Sequence, residues 1–388
     1  MNKKLNKIDK LIEELCPEGV EFKEIGKIVA RNKGTKITAS KMKELNTYCA
    51  PIKIFAGGKT FAMVNLGDIP EKDVHEIPSI IVKSRGIIEF EYYDKPFSHK
   101  NEFWSYYSKN KDINIKYVAC YLKMKEPYFQ NVASKMQMPQ ISLPDTEKFK
   151  IPIPPLPIQD EIVKILDNFT ELEAELEAEL EARKKQYFFY ENEILFNNNY
   201  ELKKISDLCI VNQGLQIPIS ERKKESGKNR YFYITIQFLK KNNGEKYYIK
   251  NPDKNVICKM DDILVTRTGS TGKIITGVEG CFHNNFFKVN CFNIINKRYM
   301  YYVLKSKKIY NKLLHLASGG TVPDLPHRKF YQIKIPIPPL SVQEEIVKTL
   351  DKFNALVNDI SIGLPAELST RKKQYEYYRE NLFNQLRF

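Results

Sequence analysis

Two stretches of the chain carry apolar residues at steps of three and four. In the first, Ile158, Ile162, Ile165, Leu166, Phe169, Leu172, Leu176 and Leu180 share one helical face, and Tyr187, Ile194 and Leu195 continue it. Unbroken from 158 to 195, this helix would be about 57 Å long at roughly 1.5 Å per residue. Pro157 at its start is tolerated, because a first-turn amide has no helical partner anyway. In the second stretch Ile346, Val347, Leu350 and Phe353 repeat the pattern, with Tyr375 on its continuation. Ser341-Val342-Gln343-Glu344 reads there as a capping box that marks the helix start. Within Ser361-Ile362-Gly363-Leu364-Pro365, a Gly followed by a Pro predicts a break. One continuous helix and one in two pieces are expected, and pairing with each other is the economical way to cover both stripes, with packing of each on its own globular block as the alternative.

Elsewhere the pattern shortens. Ile80-Ile81-Val82, Ile263-Leu264-Val265 and residues 231–236 read as strands among Gly-containing turns, and 116–125 and 298–314 as helices. These blocks are mixed α/β.

The chain is written twice. IPIPPLPIQDEIVKILDNF (151–169) aligns on IPIPPLSVQEEIVKTLDKF (335–353) with 14 of 19 positions identical, at an offset of 184. Arg183-Lys184-Lys185-Gln186-Tyr187 recurs as Arg371-Lys372-Lys373-Gln374-Tyr375 at an offset of 188, so the second copy carries four more residues. Fainter echoes keep the same order: VEFKEIGKI (20–28) with YELKKISDL (200–208), IIVKSRG (80–86) with ILVTRTG (263–269), and KYVACYLKMK (116–125) with RYMYYVLKSK (298–307). The period is too long for a solenoid, so this is domain duplication. It divides the chain into a block at 1–150, a helical segment at 151–198, a second block at 199–334 and a second helical segment at 335–388. The three prolines of each IPIPPL remove donors and hold the chain extended, a stiff exit from block into helix.

Charge follows the same division. The net +15 resolves into +7 for 1–150, −7 for 151–198, +15 for 199–334 and 0 for 335–388. Basic blocks with Tyr, Asn, Gln and Thr interleaved suit a polyanion. The seven cysteines form no C-x-x-C pair and the five histidines no ligand spacing, so no metal site and a reducing compartment are expected. The start lacks the apolar run of a signal peptide, and no stretch reaches the roughly eighteen apolar residues of a membrane span, which points to the cytoplasm.

Catalytic signatures are missing from the sequence. There is no G-x-x-x-x-G-K-[ST], no G-x-G-x-x-G after a strand, and no N-P-P-[YF] of the amino-methyltransferase kind; Asn251-Pro252-Asp253 lacks the second proline and the aromatic. Asp261-Asp262 reads as a turn rather than a metal-nuclease pair. What remains is equipment for binding. Lys83-Ser84-Arg85 and Thr266-Arg267-Thr268, the latter followed by Ser270, Thr271 and Lys273, lie directly after equivalent strands. Lys100-Asn101 and Asn284-Asn285 follow His99 and His283. Gln137, Gln140, Lys59, Thr321 and Arg328 complete the candidates. Arg offers a bidentate fork to guanine, while Thr, Ser, Asn and Gln read other base edges or hold phosphates.

A block ending I-P-I-P-P-L-x-x-Q-x-x-I-V-x-x-L-D, followed by a helix ending R-K-K-Q-Y and the whole repeated, resembles the specificity subunit of type I restriction-modification systems. Residues 7–20 also look like the opening of such subunits. The resemblance covers the whole chain. It implies two α/β target recognition domains in tandem, separated by two long antiparallel coiled-coil helices with an internal pseudo-two-fold duplication. Each domain would bind one half of a bipartite double-stranded DNA site. The helices would set the gap and bind two modification (methyltransferase) subunits, with restriction (endonuclease/translocase) subunits where the system carries them. No cofactor is then expected on this chain, with S-adenosylmethionine, ATP and Mg on the partners, and the chain itself would be non-catalytic. Two readings stand beside it: a duplicated protein for single strands or RNA that stacks bases on its 23 Tyr and 22 Phe, and a coiled-coil adaptor that touches no nucleic acid.

Overall fold

A computed structural model describes residues 2–134, 138–196, 199–237, 245–317, 323–358 and 363–387. The chain forms two compact units, Met1–Glu177 with Leu368–Phe388, and Ala178–Glu367.

In the first unit a four-stranded antiparallel sheet runs in the order Ala30–Asn32, Trp104–Tyr107, Ser79–Lys83, Glu89–Tyr93. A smaller sheet pairs Ile52–Phe55 antiparallel with Phe61–Val64 and parallel with Phe97–His99. In the second unit the large sheet runs Cys209–Gln213, Phe286–Cys291, Ile263–Thr266, Ile274–Ile275, all antiparallel. Its smaller sheet again pairs one strand, Arg230–Ile234, antiparallel with Tyr248–Lys250 and parallel with Gly280–Phe282, whose other edge takes Ile257–Cys258. The faint sequence echoes therefore mark one topology built twice.

The proline motif closes each block. Phe22–Glu24 pairs antiparallel with Lys150–Pro152, in the register Phe22 to Pro152, and Leu202–Lys204 pairs with Lys334–Pro336, in the register Leu202 to Pro336. The prolines can sit there because each sheet has only two strands, and every strand is an edge. The motif is thus half of a β-clasp as well as an exit. Its glutamine completes the closure. Gln159, fully buried, donates to the carbonyls of Pro154 at 2.7 Å and Asp112 at 2.9 Å. Gln343, equally buried, donates to Pro338 at 2.8 Å and accepts the amide of Asn296 at 2.8 Å. Tyr117 and Tyr299 donate to the carbonyls of Pro152 and Pro336 at 2.8 and 3.0 Å.

The helix after the first motif is continuous over Leu156–Phe196. The second comes in two pieces, Leu340–Asn358 and Gly363–Asn384. Ser361 and Ile362 lie outside the described residues, while Gly363 has φ +73° and Pro365 falls in the first turn of the second piece, where its missing donor costs nothing. Leu340 already belongs to the first piece, so Ser341 lies inside the first turn rather than at the N-cap position that the expected capping box with Glu344 requires. The single helix expected over 298–314 is two, Lys297–Lys305 and Lys307–Leu316, divided at Ser306, whose extended ψ breaks the first and whose hydroxyl caps the second.

Helix pairing and packing on a block both occur, on different parts of the stripe. In the first unit Ile158, Ile162, Ile165 and Leu166 enter the core of the block with Tyr117 and Leu122. Phe169 also meets Tyr375 and Tyr378, at ring separations of 6.4 and 5.4 Å, and Glu173 and Glu177 meet Lys372 at 3.3 and 2.9 Å, so the two helices run antiparallel. Beyond them Phe383, fully buried, packs between Tyr117 and Tyr121. In the second unit Tyr187 and Leu195 share a core with Ile346, Leu350 and Tyr299, with Val347 and Phe353 packed at its border and Tyr190 stacked on Phe353. Each R-K-K-Q-Y segment thus supports a block other than the one immediately before it in the chain: Tyr187 belongs to the second unit and Tyr375 to the first. Between these contacts the stripe thins, with Leu172 exposed and Leu176 and Leu180 half-buried.

Many of the aromatic residues lie in the cores, while others, such as Tyr48 and Phe61, are exposed. The largest fully buried side chains, among them Tyr106, Tyr117, Tyr233, Tyr299, Phe129, Phe287 and Phe330, are all Tyr or Phe. That removes much of the reason to read them as stacking platforms.

Candidate nucleic-acid interface

The strand at the centre of each large sheet delivers a turn at the same place. Ser79–Lys83 runs into Ser84-Arg85-Gly86, and Ile263–Thr266 into Arg267-Thr268-Gly269. Each turn needs a positive φ at its glycine, +76° at Gly86 and +85° at Gly269. Each is strapped by a distant segment. Ile141 donates its amide to the Ser84 carbonyl at 3.0 Å, and Leu325 to the Arg267 carbonyl at 3.1 Å. One residue earlier Gln140 bridges Arg85, and Asp324 bridges Thr268. Ser84 therefore corresponds to Arg267, Arg85 to Thr268 and Gln140 to Asp324. The backbone frame is shared and the side chains on it differ.

A second shared feature lies at His99 and His283. A Cβ added at Gly34 would fall 2.6 Å from the His99 carbonyl oxygen, and one at Gly214 would fall 2.2 Å from that of His283. Only glycine allows these approaches, which explains why Gly34 recurs as Gly214. His99 is fully buried, and burial pushes its pKa down to about 4 against a backbone hydrogen bond to Lys100 that favours the charged form. Burial, and then Arg222, lower the pKa of His283.

The candidates separate into those that build the turns and those that face outward. Lys83 is buried and paired with Glu89 at 2.8 Å and Glu91 at 2.9 Å; burial opposes its charge, but these bonds hold its pKa above the ordinary lysine value. Ser84 is buried. Thr266 donates to the Ser270 carbonyl at 2.6 Å and accepts the Lys273 amide at 2.7 Å, while Thr271 donates to the Pro323 carbonyl at 2.9 Å. These four side chains shape loops. Lys59, at the tip of the turn between Ile52–Phe55 and Phe61–Val64, is exposed, as are Arg85, Asn101, Lys273 and Arg328. Lys100 is half-buried and paired with Glu102 at 3.0 Å. Gln140 and Ser270 are half-buried. Asn284 donates to Gln216 at 3.2 Å, and Asn285 donates to the Thr268 hydroxyl at 2.7 Å. Gln137 and Thr321 lie outside the described residues. Arg267 is bound in bidentate fashion by Asp324, a residue that sequence reasoning missed because 57 positions separate the two. Gln216 was missed for the same reason.

Asp261-Asp262 forms a turn whose two carboxylates are taken by Lys297, at 2.8 and 2.7 Å. Among the described residues no group of three or more His, Cys, Asp or Glu is placed to hold a metal, and no helix is long and apolar enough to cross a membrane.

The family model for the type I restriction modification DNA specificity domain matches the chain twice, at residues 17–182 and 197–370. The chain belongs to that family. Each match spans one block together with the start of the helical segment that follows it. A putative type I restriction enzyme specificity subunit of Haemophilus influenzae is 31% identical over 344 residues, covering 82% of this chain and 86% of its own. The specificity subunit of an Escherichia coli type I restriction enzyme is 28% identical over 389 residues, 94% of either chain. Among solved structures, one described for complex assembly and conformational transition of the type I restriction-modification system superposes with a TM-score of 0.63 at 14% identity, over 95% of this chain and 98% of that one. The S subunit of M. genitalium gives 0.51 at 17% identity, over 95% and 96%. The fold is that of these subunits. This specificity subunit supplies DNA sequence specificity within a complex with other restriction-modification subunits.

Proposed function

We propose that each unit reads one half of a bipartite double-stranded DNA target, and that the chain contributes specificity and no catalytic step of its own. The single observation behind this reading is the strapped turn, one backbone frame carried twice with Ser84, Arg85 and Gln140 in one unit and Arg267, Thr268 and Asp324 in the other. The frame is kept while the side chains on it change, from a buried Ser84 and an exposed Arg85 to a partly exposed Arg267 and Thr268. A reader of two different half-sites has this form, since backbone geometry positions and side chains specify. The charge partition agrees, because the blocks hold the basic excess and phosphate neutralisation belongs where DNA is touched.

In this reading the helices set the gap between half-sites and dock two modification subunits, and restriction subunits join in a system that carries them. S-adenosylmethionine, ATP and Mg act on those partners, and the complex works in the cytoplasm. A map of modified bases in DNA from cells that hold the modification subunit, with and without this chain, tests the reading. A bipartite motif that disappears without the chain is the expected result. Modification that persists unchanged, or a single contiguous motif, would overturn it.

A further inference from the structure

Arg267 is immobilised from three directions. Its amide donates to the Asn285 carbonyl at 2.6 Å and its carbonyl accepts from Leu325 at 3.1 Å. Its guanidinium donates through Nε to one oxygen of Asp324 at 2.6 Å and through one Nη to the other at 3.0 Å. The hydrogen bond to Asp324 raises the arginine pKa, and the side chains stay open, 36% and 33% exposed. An ion pair this exposed contributes little to stability on its own. It does fix a direction. Two of the five guanidinium donors are used, and of the three left two lie along the end of the fork. That end carries two roughly parallel N–H groups, the pattern that matches O6 and N7 of guanine in the major groove.

The rest of the turn is held as firmly. Thr268 bridges Asp324 through the backbone, and its hydroxyl accepts from Asn285. An arginine fixed before binding loses little side-chain freedom when it meets a base. The first unit shows the contrast on the same frame, since the residue corresponding to Arg267 is the buried Ser84 and the one corresponding to Asp324 is Gln140.

We propose that Arg267 reads a guanine in the half-site of the second unit, with Asp324 as the positioning residue that presents its fork. The inference rests on the half-site reading above and adds a base and a pair of residues to it.

The test uses the chain assembled with its modification subunits on the target found by base mapping. Each guanine of the half-site is replaced in turn by 7-deazaguanine, which lacks the N7 acceptor. For the wild-type complex one such replacement weakens binding about tenfold. The Arg267→Gln complex is indifferent to that same replacement and accepts other base pairs there, while the other half-site and the gap are unchanged. Asp324→Asn keeps the motif and lowers the discrimination at that guanine. Sensitivity of Arg267→Gln equal to wild type, or a half-site with no sensitive guanine, would overturn the proposal. If Arg267→Gln abolishes binding, Asp324→Asn decides, because full discrimination in that variant removes the positioning role. A wild-type chain that yields no bipartite motif at all fails the half-site reading itself.

Discussion

The side-chain oxygen of Gln159 accepts the backbone amide of Asn114 at 2.9 Å, and Asn114 in turn caps the helix Ile115–Met124 by accepting the amides of Lys116 and Tyr117. The same pair recurs as Gln343 and Asn296. A glutamine at the foot of the spacer helix thereby sets where a helix of the block begins. Lys116 and Arg298 on those helices then reach Asp167 and Asp351, at 2.7 and 2.8 Å. The repeated Q-x-x-I-V-x-x-L-D is a docking seam.

Gln159→Ala leaves the buried Pro154 carbonyl, the part-buried Asn114 amide and the carbonyl of the exposed Asp112 without that partner. The expected cost to the first unit is about 2–4 kcal/mol, since a stranded buried group costs roughly 1–3 and water replaces part of the loss at the more open ones. Urea unfolding followed at Trp104, the chain's one tryptophan, reads that unit directly. A midpoint equal to wild type would show that the clamp carries no stability.

His99 gives the first unit an acid sensitivity. Its pKa is about 4 in the folded chain against an ordinary 6.5, so on acidification the unfolded chain takes up its proton first. Its contribution is complete above about pH 6.5 and is lost as the pH falls towards 4, up to ~3 kcal/mol at about 1.4 per unit. His99→Gln should flatten this limb, narrowing its difference from wild type as the pH drops from 7.5 to 4.5. Parallel stability curves for the two proteins would refute the assignment.

The acidic stretch 171–181 is where the helix is least covered, with Leu172 exposed and Leu176 and Leu180 only half-buried. Deleting one Leu-Glu-Ala-Glu unit between 172 and 179 shortens the helix by about 6 Å, a little under two base-pair rises of roughly 3.4 Å. Modified-base mapping should show a changed gap with both half-sites intact. An altered half-site at constant gap would contradict the spacer role.

Periodicity and repetition made the duplicated plan, the two long helices and the break near Gly363 legible, because each depends on neighbours within a turn or on identical strings. The proline motif was only half legible. Its stiffness follows from Pro152, Pro154 and Pro155, but its pairing partner, Phe22–Glu24, lies far away in sequence. The candidate site fared similarly. The turns after the central strands could be read from IIVKSRG and ILVTRTG, whereas no local signal separates Arg267, held by Asp324, from Lys83, which serves Glu89 and Glu91. Whether a basic side chain faces outward depends on which carboxylate the fold brings to it.

The clasp registers allow the division of reading between the two units to be tested in a single grafted chain. Residues 202–336 can replace 22–152, because Leu202 to Pro336 and Phe22 to Pro152 close their blocks in the same register. The decisive measurement is the modified-base map of cells carrying this grafted chain with its modification subunits. If each unit reads one half-site, the map shows a bipartite motif whose two halves carry the same bases, those of one of the two original half-sites. A motif with both original halves unchanged would contradict that division.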